Sequence, residues 1–149
     1  MANFVLSQKG LSLIKNFEGL RLKAYKLPGE QYFTIGYGHY SPAITEGMVI
    51  DEKKATGYLL SDVASTVKGV NSLVISKINQ NQFDALVSLA FNIGMGNFKK
   101  STVLRMTNAC KFNSAADAFL LWNKDSRMKV LPGLVKRRDK ERDLFLGNV

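Results

Sequence analysis

The chain has 149 residues, 46% hydrophobic and 22% charged, which suits one soluble globular domain with its own core. Lys and Arg number 21 against 12 Asp and Glu, a net charge of +9 that attracts polyanions such as nucleic acid, anionic lipid or an anionic cell wall without choosing among them. Cys110 is the single cysteine, which excludes an internal disulfide and fits a reducing compartment, and no apolar run reaches membrane-spanning length, since Ala85 to Ile93 is interrupted by Ser88 and Asn92.

The segment Met1-Ala2-Asn3-Phe4-Val5-Leu6 lacks a basic region and has too short an apolar run for a leader. Ser7 is the expected N-cap of a first helix, in which Leu11, Ile14, Phe17 and Glu18 recur at helical spacing and Gly19 terminates. Residues 20–37 read as strand, Pro28-Gly29 turn and strand, and Gly36-Tyr37-Gly38 predicts tight backbone geometry. Ser41-Pro42 and Gly47 mark a loop. Asp51 caps a second helix with Ala55, Leu59, Val63 and Val67 on one face, running to about Val74.

Asn79 and Gln82 form a capping box for a buried helix carrying Phe83, Leu86, Val87, Ala90 and Phe91, which Asn92-Ile93-Gly94-Met95-Gly96 ends. Three further helices are expected over Ser101 to Asn108, Ser114 to Trp122 and Leu134 to Leu146, with Pro132-Gly133 separating the last two. There is no repeat, low-complexity segment or linker. The fold class is α+β: an N-terminal helix and a small antiparallel sheet flanking a cleft, then a mainly helical body, as one domain over residues 1–149.

Glu18 reads two ways. It is a solvated acid paired with Arg21 or Lys15, or it is a proton donor: the negative end of the helix dipole and the apolar Phe17 both favour the neutral carboxyl. Thr34 is an ordinary strand residue or a cleft hydroxyl that orients water. Glu30 is an exposed turn residue or a second cleft carboxylate. His39, the only histidine, is expected to bond a carboxylate or carbonyl and tie the hairpin to the helical body. Tyr25, Tyr32 and Tyr37 stack on sugar rings or pack the sheet. Cys110 reads as a small, half-buried residue. The run Lys136 to Arg142 reads as a solvated helix face with interleaved acids; a nucleic-acid reading finds no accompanying motif. One His and one Cys, far apart, match no metal-ligand spacing, and no dinucleotide or P-loop motif is present.

Phe17-Glu18-Gly19-Leu20-Arg21-Leu22-Lys23-Ala24-Tyr25 with Thr34-Ile35-Gly36-Tyr37-Gly38-His39 resembles the phage-type lysozymes, glycoside hydrolase family 24. The resemblance continues through Gln82 to Gly94, Trp122-Asn123 and Leu131 to Arg138, with Glu141 and Leu144-Phe145 beyond, in the right order over nearly the whole chain. Its flavour is that of endolysins from small phages of Gram-positive hosts, and a prophage copy would look the same. The resemblance implies a muramidase that cleaves the β-1,4 bond between N-acetylmuramic acid and N-acetylglucosamine, with Glu18 as general acid and Thr34 placing the attacking water. It has the Trp122 region and Arg137 or Arg138 line or flank the substrate cleft, the other reading being packing and surface solvation, and Asn92 joins Tyr25, Tyr32 and Tyr37 as a substrate-binding candidate. It implies peptidoglycan and anionic wall polymers as partners, no cofactor, no nucleic acid, no membrane insertion and a monomer. The protein would wait in the host cytoplasm for a holin lesion.

One departure stands out. The family pattern has an Asp or Cys nine positions after the glutamate and six before the threonine; here Leu27 and Pro28 hold those places. Glu30, four before Thr34, is the only acid between Glu18 and Thr34 and the candidate for the second carboxylate. Two alternatives follow: a lytic transglycosylase on the same fold, using Glu18 alone, and a non-catalytic basic module that binds wall polymer or nucleic acid.

Overall fold

Short-range signals set most helix starts. In this computed structural model, which describes residues 3–148, α1 (Gln8–Glu18) begins at Ser7, whose hydroxyl accepts the Gly10 N–H at 3.2 Å. Met1-Ala2, at the head of the segment read for a leader, and Val149, the end of the expected domain, lie outside the described residues. Helix α2 (Glu52–Leu73) starts where Asp51 accepts the Lys54 N–H at 2.8 Å. Helix α3 (Gln80–Ile93) carries the full capping box: Asn79 accepts the Gln82 N–H and Gln82 accepts the Asn79 N–H, each at 2.9 Å. The remaining helices are α4 (Met95–Lys99), α5 (Thr102–Asn108), α6 (Phe112–Phe119) and α7 (Pro132–Leu146).

The chain divides into two compact units. One is Ser12–Ser65; the other joins Met1–Leu11 to Thr66–Val149. The first holds an antiparallel sheet in the order β1 (Arg21–Tyr25), β2 (Phe33–Gly36), β3 (His39–Ser41). Ile14, Ile35, Tyr37, Ile44, Ala55, Leu59 and Val63 are its buried hydrophobic side chains. Gly36 lets β2 lie close on α2, since a Cβ there would stand 3.2 Å from that of Ala55, and its φ of +68° suits glycine besides. Strand β3 was not expected; residues 37–38 turn at once into it, so Gly36-Tyr37-Gly38 is the end of one strand and a hairpin rather than a terminus.

In the second unit α3 packs along α7, and α6 packs on both α5 and α7. Every residue of α3 from Gln82 to Ala90 is buried, which makes it the central helix of its unit. Asp84 on α3 holds the chain's opening segment: it accepts the Ser7 N–H at 3.1 Å and the Ser7 hydroxyl, while Gln80 bridges Asp84 and the Val5 carbonyl. Gly10 is required by this approach, because a Cβ there would meet Asp84 Cγ at 2.7 Å.

Several boundaries move. The α2 stripe follows Ala55, Leu59, Val63, Thr66 and Val70, leaving Val67 half-buried, because a 3.6-residue turn drifts off a strict four-residue spacing. A five-residue helix, α4, follows Gly94 directly instead of a loop. Helix α6 ends at Phe119, short of Trp122, and α7 takes Pro132-Gly133 into its first turn, where proline is suited to N1. Cys110 is exposed, not half-buried, and turns the chain at φ +59°.

Candidate active site

The Ser12–Ser65 unit gathers the candidate chemistry around its sheet. Glu18 closes α1, and the next amide, Gly19, bonds back to Lys15 O at 3.1 Å with φ +76°. A Cβ on Gly38, itself at φ +82°, would stand 3.4 Å from Glu18 Oε1, so the β2–β3 turn presents bare backbone to this carboxylate. Thr34 lies in the middle of β2 with Tyr25 opposite it on β1 and Tyr40 opposite it on β3. Opposed residues share a face, so a row Tyr25, Thr34, Tyr40 crosses the sheet. Thr34 is 7% exposed, and the Arg21 guanidinium lies 4.5 Å over the Tyr25 ring.

Glu30 sits after the Pro28-Gly29 turn. Its Oε1 accepts the Leu27 N–H at 2.8 Å, and its own N–H donates to Leu27 O at 3.1 Å. Tyr32 packs against Tyr40 with tilted rings, centroids 5.3 Å apart and planes at 51°. His39 places Nδ1 at 2.8 Å from Asp62 Oδ2 and lies flat on Tyr58 at 4.2 Å, tying β3 to α2. Tyr37 turns inward at 9% exposure, its hydroxyl donating to Glu52 at 2.9 Å, so its ring packs the fold and is withdrawn from any sugar-stacking surface.

Glu52 was missed from the sequence, where it reads as an exposed first-turn acid. Its Oε2 accepts from the Thr56 hydroxyl at 2.6 Å, the Tyr37 hydroxyl and Lys15 Nζ at 3.1 Å. These bonds, Thr56 first, then Tyr37 and Lys15, hold its carboxyl down at about 2 from an ordinary 4.5. Burial, with Glu52 beside it, pushes the Tyr37 phenol up. A carboxyl depressed by folding stabilises the native state above its unfolded pKa and loses that contribution as pH falls. Wild type and Glu52→Gln, denatured in urea across an acid series, are expected to differ most above pH 4.5 and to converge by about pH 2. Parallel curves would remove Glu52 from the acid response.

The other unit collects buried charge. Arg138 donates through Nη1 to Glu141, through Nη2 to Asn92 Oδ1 and through Nε to Trp122 O at 2.7 Å. Arg137, 4% exposed, donates to Glu141 Oε2 at 3.1 Å and to Ser88 O at 3.2 Å, and Ser88 donates to the same carboxylate. Burial lowers the Arg138 guanidinium from its ordinary pKa against the opposing pull of Glu141. The run 136–142 is therefore a solvated face only in part: Lys136, Asp139 and Lys140 are exposed, whereas Arg137, Arg138 and Glu141 point inward, because Ser88 and Asn92 on α3 supply partners that a local pattern cannot show. Beside this network lies a groove of about 540 Å³ lined by Asn92, Asn97, Trp122, Lys124, Met128 and Arg138. Arg137 is absent from that lining and is buried among Ser88 and Glu141. Among the described residues no three His, Cys, Asp or Glu side chains group as a metal site, and no helix is long and apolar enough to cross a membrane.

This architecture is that of lysozyme-like folds. It matches the structure of an endolysin from Escherichia coli O157:H7 phage FAHEc1 with a TM-score of 0.92 at 39% identity, covering 99% of this chain and 97% of that one. It matches the muramidase domain of SpmX from Asticaccaulis excentricus at 0.89 and 41%, covering 95% and 97%. The phage lysozyme family model covers residues 15–141, and an endolysin of Bacillus phage B103 is 54% identical over 142 residues, 95% of this chain and 54% of that protein. The chain belongs to the phage lysozyme family. It spans about half the length of the Bacillus phage relatives it matches.

Proposed function

We propose that the protein is an endolysin that hydrolyses the β-1,4 bond between N-acetylmuramic acid and N-acetylglucosamine in peptidoglycan. The observation that carries this reading is Glu18: a carboxyl ending α1 against the bare backbone of Gly38, in a chain of the phage lysozyme family. Relatives named endolysin and a neighbour named a muramidase domain support it. The chain works as one lysozyme-like catalytic domain.

Glu18 gives its proton to the glycosidic oxygen as the bond to the sugar's anomeric carbon breaks. The Thr34 hydroxyl orients a water, and Glu30, the base, takes the proton that water loses. Tyr25 and Tyr32 offer rings to the sugars from the sheet, and Asn92 and Trp122 add contacts from their groove. Two carboxyls and a water suffice, so the chemistry asks for no cofactor. A net charge of +9 concentrates the protein on a wall rich in carboxylate and phosphate. The wall is its place of action, reached from the host cytoplasm through a holin lesion.

One observation favours a second reading. The Glu30 carboxylate is already engaged by the Leu27 N–H of its own turn. A lytic transglycosylase needs Glu18 alone, the muramic acid 6-hydroxyl attacking its own anomeric carbon. Mass spectrometry of digested peptidoglycan separates the two. Reducing N-acetylmuramic acid ends are expected; 1,6-anhydro ends would establish the transglycosylase, and no soluble product would sink both. Glu30→Gln is expected to slow hydrolysis about a hundredfold.

A further inference from the structure

We propose that Tyr40 is a positioning residue for Glu30, an assignment that rests on the reading of Glu30 as the base. The Tyr40 hydroxyl oxygen accepts two consecutive backbone N–H groups, Gln31 at 3.2 Å and Tyr32 at 3.1 Å. These are the first two peptides after Glu30. The same ring packs at a tilt against that of Tyr32, centroids 5.3 Å apart, and the strand register sets Tyr40 directly beside Thr34. One side chain thus links the strand of Thr34 to the chain that carries Glu30.

The need for such a link is physical. Residues 26–32 connect β1 to β2 through Pro28-Gly29, and Gly29 adopts φ +86°. The local bonds between Leu27 and Glu30 close the turn on itself but do not fix it against the sheet. Without an anchor the base would sample many distances from the water that Thr34 holds, and a displacement of an ångström costs up to about a hundredfold in rate. Tyr40 is 46% exposed, so its ring is not needed to fill the core. Its hydroxyl is the part with a specific task.

Tyr40→Phe removes that oxygen and keeps the ring. Four proteins decide the matter: wild type, Tyr40→Phe, Glu30→Gln and the double variant, assayed on soluble glycan strands cut from peptidoglycan. Tyr40→Phe is expected to lower kcat about tenfold with KM unchanged, to leave Tm near wild type, and to add nothing in the Glu30→Gln background. Amide exchange at Gln31 and Tyr32 should quicken in Tyr40→Phe while that of β2 stays slow. A raised KM at unchanged kcat would make Tyr40 a sugar contact and overturn the proposal. So would a kcat loss that multiplies with that of Glu30→Gln. In both cases a slow Glu30→Gln single variant leaves the base assignment standing. A Glu30→Gln protein with the wild-type rate overturns the base assignment itself, and the role of Tyr40 with it.

Discussion

Glu18→Gln is expected to lower the rate of peptidoglycan cleavage by about 10²–10⁴-fold while leaving the fold intact. The substitution keeps the shape of the side chain and removes the proposed proton donor. The leaving alkoxide of a sugar is a poor leaving group, so the barrier rises by the full value of general-acid assistance. Binding should survive, because the sugar contacts proposed for Tyr25, Tyr32 and Trp122 are untouched. The measurement is release of soluble fragments from purified walls, alongside thermal unfolding to show that the variant is folded. A Glu18→Gln protein that cleaves within a few-fold of wild type would end the enzyme reading of this residue. A variant that still binds walls but releases nothing is the expected result. A wild type that binds equally well and also releases nothing would instead describe a basic wall-binding module.

Glu141→Ala is expected to be the most damaging single change to stability. The carboxylate is fully buried and takes bonds from Arg138, Arg137 and Ser88. Removing it leaves two buried guanidinium groups without their shared counter-charge, a loss of about 3–5 kcal/mol. For a chain of this size that corresponds to a fall in Tm of about 6–20 °C. The exposed Arg142–Asp117 pair at 2.9 Å is the internal comparison, since an ion pair open to solvent is worth less than about 1 kcal/mol. Thermal denaturation of both variants checks this. A Glu141→Ala protein no weaker than Asp117→Ala would mean that water relieves the buried cations.

What the sequence revealed follows the range of the interaction. The Ser7, Asp51 and Asn79 caps are short-range events, complete within four residues, and each stands where local pattern puts it. Glu18 at a helix end and Thr34 on a strand were legible for the same reason, and the family's ordered blocks extended that to the whole fold. Strand β3 was not legible, because three residues carry no periodicity and are fixed only by pairing with β2. Helix α4, five residues long, is equally silent. Arg137, Arg138 and Glu141 of α7 were misread as surface charges because partners stand some fifty positions away on α3. Tyr37 was read as a possible sugar platform because nothing nearby in sequence says that Glu52 captures its hydroxyl.

The tie between Ser7 and Asp84 spans 77 positions, and its consequence is a matter of timing. Ribosomes add about 5–20 residues each second, so the segment that Asp84 clasps waits about 4–15 s for its partner to be made. During that interval the stretch Ser12–Ser65 is already complete in sequence and can organise its own sheet. The unit that contains α3 must close around both an early and a late piece of chain. Its assembly cannot finish before Asp84 has been made, and Ser7 and Gly10 mark where the early segment of that closure is caught.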